Sequence, residues 1–121
     1  KVQINNPQAT ELTKMEKKSL IRYVYVGTPT RDLQKQYGAE TRIQLDDAFA
    51  EVSEIEDYIV NERSAMNESD QGLMTVSIKA DRGTQMQVIN DVKQALRIAK
   101  AYRISYSATE MNKEMNKEHK N

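Results

Sequence analysis

A chain of 121 residues with 38% hydrophobic content is the size of one small domain with polar flanks. Its 18 lysines and arginines are balanced by 18 aspartates and glutamates, so no net field exists to gather nucleic acid or an anionic membrane surface. Without cysteine there is neither a disulfide scaffold nor a thiolate metal site, and no apolar run approaches the roughly 20 residues of a membrane helix.

From Lys1 to Ser19 the chain is polar, holds Pro7 and a Lys/Glu-rich stretch around Lys14 to Lys18, and reads as a linker with a short helical piece. No signal peptide is visible, and a start at Lys1 rather than methionine suggests a piece of a longer protein with any anchor upstream. Leu20 to Val26, LIRYVYV, is rich in β-branched and aromatic residues and is closed by Gly27 and Pro29, which predicts a strand. Ile43 and Leu45 alternate with Gln44 and Asp46 in a second, shorter strand. The link between them, GTPTRDLQKQYGAET, is long for a hairpin and predicts a turn of helix around Asp32 to Tyr37. Ser53 and Glu56 have the spacing of a capping box, so a helix is expected from there, with Ile55, Ile59, Met66 and Tyr58 near one face.

Met74, Val76, Ile78 and Ala80 alternate with Thr75, Ser77 and Lys79, the pattern of a half-buried strand. After the break ADRGT, Thr84 and Gln87 offer a second capping box, and Val88, Ile89, Val92, Ala95, Leu96, Ala99 and Tyr102 recur at helical spacing. Met86 and Tyr102 are placed in this core stripe, and Lys93, Arg97 and Lys100 on a solvated basic face. Ile104, Tyr106 and Ala108 then alternate with Arg103, Ser105 and Ser107 in a last strand. The expected fold is α+β over residues 20–109, in the order β-β-α-β-α-β, with two helices packed on one face of a mixed sheet. The first two strands are expected to pair antiparallel, and the tightly joined strand, helix and strand at the end to be parallel. Residues 110–121, EMNKEMNKEHKN, have no apolar face wide enough to bury and read as a mobile tail.

Candidate chemistry is sparse. Asp81 in ADRGT stands where open sheets place ligand sites, but a lone Gly83 cannot supply the close approach of a phosphate loop, and a plain corner is the better reading. Asp46 and Asp47 are neighbours on an extended chain and point apart, so a turn before Phe49 is preferred to a carboxylate pair. His119 stands alone in the polar tail, with no triad or metal cluster around it. No catalytic, metal or cofactor residue is assigned, and an enzyme is not expected.

Three stretches together, TELTKMEKKSL, YGAETRIQLDDAFAEVSEIEDYI and TVSIKADRGTQMQVINDVKQALRIAKAYRISYSA, resemble the periplasmic part of the ExbD/TolR family of biopolymer transport proteins, in the form found in Bacteroidetes. The similarity spans about Thr10 to Ala108. The link between the first two strands is longer than the hairpin of the better-known members. The resemblance implies a periplasmic domain of a single-pass inner-membrane protein, with residues 1–19 as the linker after the membrane helix and the proton-carrying aspartate upstream of Lys1. It further implies paired copies of the domain, an ExbB/TolQ-like membrane partner, and coupling of proton flow to outer-membrane transport through a TonB-like protein. A TolR-like or motility-type motor that grips peptidoglycan is a variant of this reading. A small enzyme or solute-binding domain is the competing class, because such a sheet suits either.

Partner contact is expected at one place. If the last helix crosses over to set RISYSA beside MTVSIKA, the segment Arg103, Ile104, Ser105, Tyr106, Ser107 and Ala108 is an edge strand guarded by a single charge. Such an edge invites its twin in a homodimer or an extended partner segment. Proline at Ser105 or Ser107 is expected to block that pairing while the domain stays folded.

Overall fold

The structure, a computed structural model, describes residues 18–109. The expected linker, apart from its last two residues, and the expected tail lie outside them. The described chain is α+β and runs β1 (Ile21–Gly27), α1 (Arg31–Tyr37), β2 (Arg42–Leu45), β3 (Ala48–Ala50), a 3₁₀ turn (Val52–Glu54), α2 (Ile55–Ser64), α3 (Glu68–Gln71), β4 (Thr75–Asp81), α4 (Met86–Ile98) and β5 (Ile104–Thr109). One mixed sheet holds the five strands in the order β3-β2-β1-β4-β5. The expected element order is therefore corrected: β3 and α3 are additional, and α1 stands where the link was expected to hold a turn of helix, around Asp32 to Tyr37. β3 and α3, at three and four residues, are too short to impose a period on the sequence.

Connection length decides the pairing. β1 and β2 pair antiparallel, as do β2 and β3 across a two-residue turn, whereas β4 pairs parallel with both β1 and β5. These registers line up Leu45, Val24, Ile78 and Tyr106 in one cross-strand row, and Ile43, Val26, Ala80 and Ala108 in the next. Alternate residues of a strand share a face, so both rows lie on one side of the sheet. Their inner members are buried in a single core with Ile55 and Ile59 of α2 and Ile89, Val92 and Leu96 of α4. Each fully buried valine, isoleucine or leucine among them contributes about 1.5–3 kcal/mol. The outer members, Tyr106 and Ala108, are exposed at the edge.

The opposite face carries the row Phe49, Gln44, Tyr25, Lys79 and Ser107. Here the long link has a structural task. The Tyr37 ring of α1 meets Phe49 edge-on at 4.7 Å, and the Arg42 guanidinium lies 5.3 Å from the Phe49 centroid and 5.7 Å from that of Tyr37. Gly38 ends α1 with φ of +83°, a left-handed conformation that costs glycine nothing. Gln44 is fully buried and donates from Nε2 to the Asp46 carbonyl at 3.0 Å. Further along this face Tyr23 and Tyr25 stack at 5.9 Å, with the Lys79 ammonium 5.1 Å from the Tyr23 centroid.

Polar contacts tie the helices to the sheet. Arg22 of β1 pairs with Glu62 of α2 at 2.6 Å. Arg63 donates to the carbonyls of Ala99 and Lys100, satisfying acceptors that the end of α4 leaves without intrahelical partners. The expected capping box is displaced by the 3₁₀ turn: Glu54, not Glu56, accepts the backbone N–H three residues earlier, that of Glu51, at 2.6 Å. Thr84 likewise turns its hydroxyl to the Val26 carbonyl at 3.4 Å, and the N-cap of α4 is Gln85.

Asp46 shows how the β2–β3 turn is held. Its φ is +55°, a region that Asp and Asn tolerate better than other non-glycine residues, and its carboxylate accepts from the Tyr58 hydroxyl at 3.0 Å. Asp46→Ala is expected to cost about 1–2 kcal/mol in denaturant unfolding, through the lost hydrogen bond and the backbone conformation together. Asp46→Asn should cost less than half of that; equal costs for the two would show that neither effect operates. Burial, and then the Asp46 carboxylate, push the Tyr58 phenol well above its ordinary value of 10.0. A phenol raised in the folded state contributes stability that is fully present below the unfolded value near 10 and is lost as pH rises beyond it. Stability should therefore fall above about pH 10 more steeply in the native chain than in Tyr58→Phe. Coincident pH profiles would refute the assignment.

Candidate functional site at the sheet edge

Since β5 ends the strand order, one side of its backbone has no strand beside it among the described residues. The hydrogen bonds show which side. Val76 N–H donates to the Arg103 carbonyl at 2.8 Å, so Arg103 turns its backbone toward β4. Backbone groups alternate along a strand, so Ser105 and Ser107 also face β4, and the N–H and C=O groups of Ile104, Tyr106 and Ala108 face outward. This corrects one expectation: proline at Ser105 or Ser107 would remove a donor of the β4–β5 ladder, not of the open edge. Arg103 itself precedes the strand, and its Nε donates to the Gly72 carbonyl at 3.2 Å.

Side chains divide the other way. Ser105 and Ser107 lie opposite Ser77 and Lys79 on the face away from the core. Ile104 packs against the core, while Tyr106, 40% exposed, stands with its ring 5.2 Å from the Lys93 ammonium. Between α4 and β5 runs a groove of about 410 Å³ lined by Lys93, Arg97, Tyr102, Ile104 and Tyr106. A second hollow of about 400 Å³ shares Tyr102 and adds Arg63, Lys100 and Arg103. No carboxylate lines either.

Tyr102 and Met86 correct the expected core stripe, being 74% and 54% exposed. The helical phase stops at Ile98, and Lys100 takes a left-handed turn with φ of +62°, so Tyr102 is no longer on the face that carries Leu96. Met86 opens α4, before Ile89 begins the buried face. Lys93 and Arg97 border the edge strand on one side of α4. On another side, a groove of about 310 Å³ against α2 is acidic, with Glu56 and Asp91 beside Val52, Ala95 and Ile98.

The remaining candidates resolve as scaffold. ADRGT is a turn in which Thr84 N–H donates to the Asp81 carbonyl at 3.0 Å, and open space surrounds Gly83 where a side chain would stand. Asp46 and Asp47 form the β2–β3 turn. His119 lies outside the described residues. Among the described residues no group of three or more His, Cys, Asp or Glu could hold a metal ion, and no helix is long and apolar enough to cross a membrane. Comparison with protein-family models, curated proteins and solved structures finds no match.

Proposed function

We propose that this chain is the periplasmic domain of an ExbD/TolR-like subunit of a proton-driven inner-membrane motor. It transmits force by protein–protein contact, with α2 and α4 as a two-helix layer behind the sheet and β5 as the docking edge. The observation that carries this reading is the parallel β4–α4–β5 unit ending in a strand that has no further strand beside it among the described residues. It occupies Thr75 to Ala108, the stretch whose strand, helix and strand resemble the shared core of that family. A strand guest, either a second copy or an extended segment of a TonB-like protein, gains main-chain hydrogen bonds along Ile104, Tyr106 and Ala108. An ExbB/TolQ-like subunit would engage the chain through a membrane helix upstream of Lys1, and the domain itself would perform no catalysis.

The experiment is made on the full-length protein in its own membrane. The proposal expects a lone upstream membrane helix with one aspartate, co-purification with a polytopic ExbB/TolQ-like subunit, and loss of energised outer-membrane uptake when that aspartate becomes asparagine. A full-length chain without such a helix, or uptake indifferent to the change, would contradict it. One observation favours the wall-gripping variant: the stacked Tyr23 and Tyr25 lie on a sheet face that also carries Ser77, Ser105 and Ser107, a combination suited to sugar rings. Cosedimentation with purified peptidoglycan, lost in Tyr23→Ala, would select that variant.

A further inference from the structure

We infer that the guest of the β5 edge is an acidic extended segment, with carboxylates at alternate positions, rather than a second copy of this chain. The inference rests on the docking edge proposed above and concerns what that edge selects.

A strand added outside β5 would continue the sheet, and every second residue of it would lie on the core side, beyond Ile104 and Tyr106. Those positions face the groove lined by Lys93, Arg97 and Tyr102. The Lys93 ammonium stands over the Tyr106 ring, neither Lys93 nor Arg97 has an ion pair among the described residues, and the Arg103 guanidinium bonds a neutral carbonyl. The adjoining hollow adds Arg63 and Lys100, again with no carboxylate in its wall. A chain with zero formal net charge thus gathers cations beside β5, one of the two edge strands of its sheet, and among the described residues leaves them without acidic partners. Acidic residues placed alternately along a guest would meet them in register, and apolar or aromatic residues among them would cover Ile104 and the exposed ring of Tyr102.

A second copy fits poorly. The core-side residues of β5 are Ile104, Tyr106 and Ala108, which bring no negative charge. Two-fold pairing of β5 with its twin would also set a second Lys93 and Arg97 opposite the first pair, and like charges across an interface select against that partner.

The test uses the full chain and fluorescence anisotropy with a short labelled peptide alternating Glu with Val and Thr, beside its Lys-for-Glu counterpart. The acidic peptide should bind and the basic one should not. Raising sodium chloride from about 50 to about 500 mM should weaken the binding, because exposed charges are screened. Lys93→Glu with Arg97→Glu, the first half-buried and the second exposed, should reduce affinity for the acidic peptide by about tenfold or more and favour the basic one. Ala108→Pro, which removes an outward N–H, should abolish binding of either, with circular dichroism as the folding control. Equal binding of both peptides, unchanged by charge reversal and lost in Ala108→Pro, would overturn the acidic selection and leave the docking edge standing. Self-association seen by analytical ultracentrifugation, lost in Ala108→Pro and unaccompanied by peptide binding, would make the second copy the occupant and refute the inference. Acidic-peptide binding that persists in folded Ala108→Pro would remove the edge itself, and the docking role with it.

Discussion

Ile78→Ala is expected to destabilise the domain by about 2–5 kcal/mol, the range for truncating a large side chain in a packed core. Ile78 is fully buried on the interior strand β4, flanked by Val24 of β1 and Tyr106 of β5 in one cross-strand row. Its neighbours are held by ladders on both sides and cannot collapse into the space left behind, so the cost falls toward the upper part of that range. Against the ~5–15 kcal/mol of a typical domain this is a large share, and in a domain of this size it lowers Tm by roughly 10 °C or more. Ile98→Ala supplies the contrast. That residue is 57% exposed at the end of α4, and its truncation should change stability by no more than about 0.5 kcal/mol. Denaturant unfolding of the two variants side by side checks the placement of the core. Equal costs would mean that α4 is rotated from the orientation described.

The second large effect separates two adjacent residues by the direction of their backbones. Ser107→Pro removes an N–H that faces β4 and should cost about 1–3 kcal/mol, the penalty for leaving a sheltered acceptor without its donor. Ala108→Pro removes an N–H that faces outward, so stability should change little while strand docking is lost. Thermal melts and amide hydrogen exchange would show the difference. Slow exchange at Ser107 with fast exchange at Ala108 is the expected pattern, and the reverse would place the open side of β5 on the wrong row.

The periodicity of residues 74–80 was sufficient to identify β4, because a strand buried on one face repeats its apolar residues every second position. The same alternation marked β5, and the turn at Asp46 and Asp47 followed from two adjacent short acidic residues before Phe49. Other features depend on contacts that no local pattern encodes. Nothing in the local pattern marks Arg42, which lies against the rings of both Tyr37 and Phe49; that meeting requires the long link to fold back over the second face. Tyr102 has the right spacing for the core stripe of α4 and leaves it only because Lys100 reverses the backbone. The site itself was half legible. Its strand could be read from alternation and topology, but not the basic groove beside it: Lys93 and Arg97 look like any solvated helix face until the crossover brings β5 against them. The outward set of amides also needed one observed hydrogen bond, that from Val76 to Arg103, to fix the phase.

The claim that β5 is where this domain meets its partner is tested most directly by photo-crosslinking in the living cell. A photoreactive phenylalanine analogue replaces Ala108 in the full-length protein, with Val60 on the exposed side of α2 as the comparison position. The account predicts a crosslink from position 108 to an acidic segment of a TonB-like protein, lost when Lys93 and Arg97 are both reversed to glutamate, and none from position 60. Capture of that protein from position 60 with none from position 108 would contradict it.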